Sequence, residues 1–183
     1  MNKIGIFGGI LAVIAVVGLV YLNYVESPSM LATKTDYKNA TYTIDGEDVT
    51  LVEGLSETPA APGSASMLSI KYFGNVAKGD LNADGIPDLA FLLTQSSGGS
   101  GTFFYLVAAL QNSAGGYTGT NAVLLGDRIA PQETEIKDGE IVVNYADRKV
   151  GQPMSAVPSV GVSKYLKVEN NHLVTDSMKL GTE

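Results

Sequence analysis

Residues 88–110 read DLAFLLTQSSGGSGTFFYLVAAL, two apolar runs separated by a connector of serine and glycine. A strand with one wet face alternates polar and apolar residues. Here the apolar residues follow one another, as expected of strands covered on both faces. Periodicity alone does not separate such a run from a short buried helix, but the aromatic cluster Phe103-Phe104-Tyr105 and the glycine-rich entrance favour a strand. Asp88 to Thr94 and Thr102 to Leu110 are therefore expected to pair in the middle of a sheet, with Ser96 to Gly101 as a flexible connector.

Working outward, strand and turn signals recur at short intervals. Thr41 to Ile44 and Val49 to Val52 are β-branched and aromatic, and Asp45-Gly46 between them marks a hairpin turn. Glu57 to Ser66, ETPAAPGSAS, reads as a loop, and Met67 to Phe73 as a strand leading into the central pair. Downstream, Ala122 to Leu125, Thr134 to Lys137 and Glu140 to Tyr145 read as strands, the last two joined at Asp138-Gly139. Val162 to Val168 and His172 to Val174 make a closing hairpin around Glu169-Asn170-Asn171. Strands at this spacing without amphipathic helices predict a mainly β domain, an antiparallel sandwich or open barrel. No internal repeat suggests a propeller.

The N-terminus is of another kind. Ile4 to Leu22 runs nineteen residues without a charge. As a helix it would reach about 28 Å, close to the hydrocarbon thickness of a bilayer. Lys3 precedes it and Glu26 follows, so the positive-inside bias places the N-terminus in the cytoplasm and the domain outside. The expected organisation is one N-terminal transmembrane helix (1–22), a stalk (23–37), an extracytoplasmic β domain (38–176) and a tail (177–183). The alternative is a cleaved signal peptide, cut near Ser29-Met30-Leu31-Ala32, and a secreted domain. The run exceeds the usual length of a signal core, which favours the anchor.

With no cysteine, the chain has no disulfides, thiolate metal sites or lipid-bearing thiol. A net charge of -7 argues against nucleic acid, whose phosphates demand clustered lysine and arginine.

Between the strand at Met67 and the central pair lies Gly79-Asp80-Leu81-Asn82-Ala83-Asp84-Gly85-Ile86-Pro87-Asp88. Calcium takes six to eight oxygens from a short loop, supplied by side chains at positions 1, 3 and 5, a carbonyl at 7 and a direct or water-mediated ligand at 9, with glycine at 6 permitting the turn. Asp80, Asn82, Asp84, Gly85, Ile86 and Asp88 fall on those positions. An EF-hand also requires a glutamate at position 12, here Phe91, and flanking helices, so that motif does not apply. Three carboxylates within nine residues repel one another unless a cation neutralises them, whereas a plain polar turn needs only one or two.

The loop resembles the calcium loops of the FG-GAP and VCBS families, in which a D-x-[DN]-x-D-G-x-x-D segment opens on Gly-Asp between β-strands. The resemblance covers about residues 78–92. It implies a calcium ion held by Asp80, Asn82, Asp84, the Ile86 carbonyl and Asp88. More widely, the order of the loop, the central pair, Leu124-Leu125-Gly126-Asp127-Arg128-Ile129, the acidic hairpin at Asp138-Gly139 and the closing KYLKVENNHLV resembles a group of membrane-anchored or secreted bacterial proteins over most of residues 40–174. That resemblance implies location and domain extent, and no activity.

No catalytic residue is assigned. His172 is the only histidine, no Gly-x-Ser-x-Gly elbow is present, and Gly98-Gly99-Ser100-Gly101 lacks the lysine and helix of a phosphate loop. Glu133, Glu135, Asp138 and Glu140 lie close enough in sequence to raise a glycosidase pair, but acids around an Asp-Gly turn more often form a solvated rim. Arg128 and Arg148 each follow an aspartate and are expected to fix loops rather than receive an anion. Tyr105, Tyr117 and Tyr165 are expected to pack at the half-buried edge of the core. The expected function is a calcium-binding β domain with a structural or binding role at the cell envelope. A calcium-stabilised hydrolase of envelope carbohydrate or peptide, and a subunit of a surface assembly packing through Gly5, Gly8, Gly9 and Gly18, are the alternatives.

Overall fold

The computed structural model describes residues 36–176 and 179. The expected anchor (4–22), all but the end of the stalk, and the rest of the tail lie outside the described residues. Among the described residues no helix is long and apolar enough to cross a membrane.

A 3₁₀ turn, Tyr37–Asn39, leads into β1 (Thr41–Ile44) and β2 (Glu47–Thr50). Then come β3 (Leu55–Pro59), β4 (Met67–Gly79), β5 (Asp88–Ser96), β6 (Phe103–Gln111), β7 (Tyr117–Gly119) and β8 (Val123–Asp127). The chain closes with β9 (Ala130–Lys137), β10 (Glu140–Asp147), β11 (Val160–Glu169) and β12 (His172–Thr175). A large sheet has the order β3-β4-β5-β6-β7, with β8 also on β6. A second sheet has the order β12-β11-β10-β9, and β1-β2 form a separate hairpin. All paired strands are antiparallel.

The central pair explains the layering. β5 and β6 pair from Leu89 with Ala109 to Gln95 with Phe103. Successive side chains on a strand point to opposite faces, so a continuous apolar strand requires a cover on each side. Ala90, Leu92, Phe104, Leu106 and Ala108 pack with Ile141, Val143 and Leu166 of the four-stranded sheet. Leu89, Phe91, Leu93, Tyr105 and Val107 pack with Tyr42, Ile44 and Leu51 on the opposite face. The result is a sandwich with a third layer on the outside of its large sheet, rather than an open barrel.

The β1-β2 hairpin is fastened by backbone bonds as well as by the core. Thr43 N–H donates to Thr120 O over 3.2 Å, and Ala122 N–H donates to Thr43 O over 2.7 Å. Gly119 lets the hairpin approach. A Cβ there would collide with the Thr41 carbonyl oxygen and lie 2.6 Å from Tyr42 Cδ1. Gly119→Ala is expected to cost about 2–3 kcal/mol by overpacking this contact, read as a lowered midpoint in urea with an unchanged slope. Between the two large sheets, the Asn121 amide pairs with one residue of β12: its Oδ1 accepts the Leu173 N–H at 2.6 Å and its Nδ2 donates to Leu173 O at 3.1 Å.

The predicted hairpins close on two-residue turns, the last of them on Asn170-Asn171 because Glu169, expected in the turn, belongs to β11. Asp45-Gly46, Asp138-Gly139 and Asn170-Asn171 all take positive φ (53° and 88°, 51° and 75°, 50° and 64°), the conformation that suits a tight hairpin and that glycine, asparagine and aspartate tolerate. Three elements differ from expectation. Glu57 to Pro59, read as loop, belongs to β3 and pairs with the start of β4. β4 continues past Phe73 to Gly79 across two register shifts, where Gly74 and Asn75 have φ of 114° and 55°. The short β7 was not expected.

Candidate functional site

The segment between β4 and β5 is a chain of side-chain-capped turns. Asn82 Oδ1 accepts the Asp84 N–H at 3.0 Å, Asp84 Oδ1 accepts the Ile86 N–H at 2.7 Å, and Asp80 Oδ2 accepts the Gly85 N–H at 2.9 Å. Asn82 Nδ2 donates to Asp84 Oδ2 over 3.0 Å. Ala83 and Gly85 sit in the left-handed region, φ 61° and 82°, which aspartate-rich turns use to reverse direction. Entry to the loop depends on Gly79, because a Cβ there would lie 2.5 Å from Ile136 Cγ2 of β9.

Asp88 ends the loop and plays a different part from the other acids. It is fully buried at the first position of β5. Its Oδ2 accepts the Leu81 N–H at 2.9 Å, and its Oδ1 accepts the Gln111 N–H at 2.8 Å. One carboxylate thus ties the start of the loop to the end of β6. Burial pushes the Asp88 carboxyl above the usual range. The two backbone donors pull it down, and the nearby Asp84 and Asp80 carboxylates push it up further.

These positions bear unequally on a cation. Asn82 and Asp84 are exposed, with each of their side-chain oxygens hydrogen-bonded inside the loop. Asp80 Oδ1 is a buried acceptor without a hydrogen-bond partner, the kind of atom that asks for a cation or a donor. Asp88 has both oxygens engaged by N–H groups, leaving only their second lone pairs. Among the described residues, no three histidine, cysteine or acidic side chains stand together in a way that could hold a metal ion. The loop in this structure is a hydrogen-bonded turn in which Asp80 Oδ1 alone among the side-chain oxygens of Asp80, Asn82, Asp84 and Asp88 lacks a hydrogen bond.

No family model, curated protein or solved structure matches this chain. Its function must be argued from its own residues.

The other sequence candidates are held in the strands and loops of the domain. His172 is exposed in β12. Arg128 pairs with Asp127 at 3.0 Å. Arg148 donates to three carbonyl oxygens, Ala156 O at 2.7 Å, Arg128 O at 3.1 Å and Asp127 O at 3.2 Å, which fixes the loop between β10 and β11 to the end of β8. Tyr105 is buried and donates its hydroxyl to Asp45 Oδ2 over 2.9 Å, while Tyr117 and Tyr165 are half-buried. Residues 97–100 are exposed loop.

The acidic group on β9 and β10 is not a convex rim. Glu135, Asp138 and Glu140 line a concavity of about 450 Å³ on the outer face of the four-stranded sheet, together with Tyr165, Lys167 and Lys179. Glu133 is not part of it. Glu135 is paired with Lys137, and Glu140 with Lys179 at 2.7 Å, so both carboxylates already serve as partners of ammonium groups. Sequence reading found the acids and missed the rest. Strand alternation would have put Glu140 and Val142 on one face, but only the register of β10 on β11 brings Tyr165 opposite Val142 and Lys167 opposite Glu140.

Proposed function

We propose that the chain is a membrane-anchored, extracytoplasmic calcium-binding β domain with a structural or binding role at the cell envelope. The observation that carries this reading is the buried Asp80 Oδ1, which has no hydrogen-bond partner, in a loop that also carries the exposed Asn82 and Asp84. Asp80, Asn82, Asp84 and the Ile86 carbonyl would hold the ion, with Asp88 reaching it through a remaining lone pair or a water. The membrane attachment rests on Ile4 to Leu22 and the charges that flank it. Calcium would supply positive charge where Asp80, Asp84 and Asp88 now repel one another. The chain's own contribution is positional: Asp88 fixes the loop's two ends, and Gly79 seats it against β9.

The test is calorimetric calcium titration of the metal-stripped chain and of Asp84→Ala. Saturable one-to-one binding with Kd of about 10⁻⁴ to 10⁻³ M is expected, as for extracellular modules, and its loss in the variant. At tenfold saturation the wild-type melting point rises by the equivalent of about 1.4 kcal/mol. No heat and no melting shift at millimolar calcium would reduce the loop to a polar turn.

A further inference from the structure

The concavity on the outer face of the four-stranded sheet is built around one carboxylate. Glu140 is only 8% exposed. Its Oε2 accepts the Lys179 ammonium at 2.7 Å, and the same ammonium lies 5.5 Å from the centroid of the Tyr165 ring. Its Oε1 is buried and accepts no hydrogen bond. Lys167 Nζ stands 3.9 Å from that atom, too far for a hydrogen bond, and is shared with Asp176 at 3.3 Å. A second hollow of about 390 Å³ shares Tyr165 and Lys179 and extends the surface along β11 past Ser163 and Asn144. The chain therefore presents a nearly buried carboxylate and an aromatic face to a cation, and gives a hydrogen bond to only one of the two oxygens.

An ammonium is a point charge that can meet only one of these oxygens well. A guanidinium carries parallel N–H donors in a planar fork, matches both oxygens of a carboxylate, and stacks on an aromatic ring more readily than an ammonium. We propose that the groove is a docking site for an arginine side chain of a partner polypeptide, and that Lys179 is its displaceable placeholder in the same chain. The incoming guanidinium takes Oε1 and Oε2 of Glu140 together and lies on Tyr165. The groove's three acids are balanced by Lys137, Lys167 and Lys179, with Glu135 paired to Lys137, so selection rests on the fork geometry at Glu140 and the face of Tyr165. A tethered occupant competes at high effective concentration. Binding to the intact chain is thus weak, and releasing Lys179 raises it. The site does not depend on the Asp80 to Asp88 loop binding calcium.

The experiment is an NMR titration of the full chain with capped Gly-Arg-Gly and Gly-Lys-Gly peptides, following residues of β10 and β11. Lys179→Ala is expected to bind the arginine peptide at least tenfold more tightly than the wild type, and at least threefold more tightly than it binds the lysine peptide. Adding Glu140→Gln to Lys179→Ala should abolish that binding. Tyr165→Leu in the same background should lower it severalfold, and it serves where the Glu140 variant loses its fold. Equal affinity of wild type and Lys179→Ala would overturn the proposal, as would binding that survives both second changes. Equal binding of the two peptides would overturn the guanidinium assignment, leaving a bare cation site.

Discussion

Phe91→Ala is expected to lower stability by about 3–5 kcal/mol, the range for truncating a fully buried aromatic. Phe91 has no exposed surface and lies where three elements meet the central sheet. Its ring is 5.4 Å from Tyr37, 5.6 Å from Tyr42 and 5.4 Å from Tyr72, centroid to centroid. The first two contacts are edge-on, a geometry that adds to simple area burial. Deleting the ring leaves a void that Tyr37 and Tyr42 cannot fill without moving the 3₁₀ turn and β1, and Tyr42 is further held by its hydroxyl bond to Tyr37 O at 2.6 Å. Urea unfolding at equilibrium measures the cost. A loss under about 1 kcal/mol would mean that the hairpin layer collapses onto the sheet and is not a fixed part of the core.

Asp88→Ala is the second large effect. The alanine removes the only acceptor of two N–H groups, those of Leu81 and Gln111. A buried donor left without a partner costs about 1–3 kcal/mol, so the pair predicts a loss of about 2–6 kcal/mol. In a domain of this size that corresponds to a melting point lowered by roughly 10 °C. The contrast with Asp84 is the informative part. Asp84→Ala on the exposed loop should change the melting point chiefly when calcium is present, whereas Asp88→Ala should lower it substantially even without calcium. If the Asp88 deficit vanished on removing calcium, the residue would be a metal ligand first and a tether second.

The central strands were legible because apolar residues in succession at Leu89 to Leu93 and Phe104 to Leu110 call for cover on both faces, and the aromatic cluster and glycine-rich entrance favour a strand over a short buried helix. The tight turns were legible because Asp-Gly and Asn-Asn tolerate positive φ. β3 was hidden by its composition: Leu55–Pro59 is an exposed edge, mostly polar, and ends on a proline, so no hydrophobic pattern betrays it. The far half of β4 was hidden by Gly74 and Asn75, which read as a stop and act as a bulge. At the loop, the acids were plain but their division of labour was not. That Asp88 answers to Gln111, twenty-three residues away, follows from how β5 pairs with β6, which local spacing does not encode. The groove around Glu140 was less legible still, since Tyr165 and Lys179 reach it from β11 and the end of the chain.

The double covering of the central sheet also governs how the domain meets proteases. Shedding either outer layer would bare one complete apolar face of β5 and β6, so partial opening costs nearly as much as global unfolding. Cleavage is then confined to exposed stretches such as 60–66 and 149–155, where the backbone is free to enter an active site. Arg148 grips Ala156 beyond the second of these, and both flanking strands remain in the four-stranded sheet. A chain nicked there stays assembled, and damage to its surface does not become loss of the molecule.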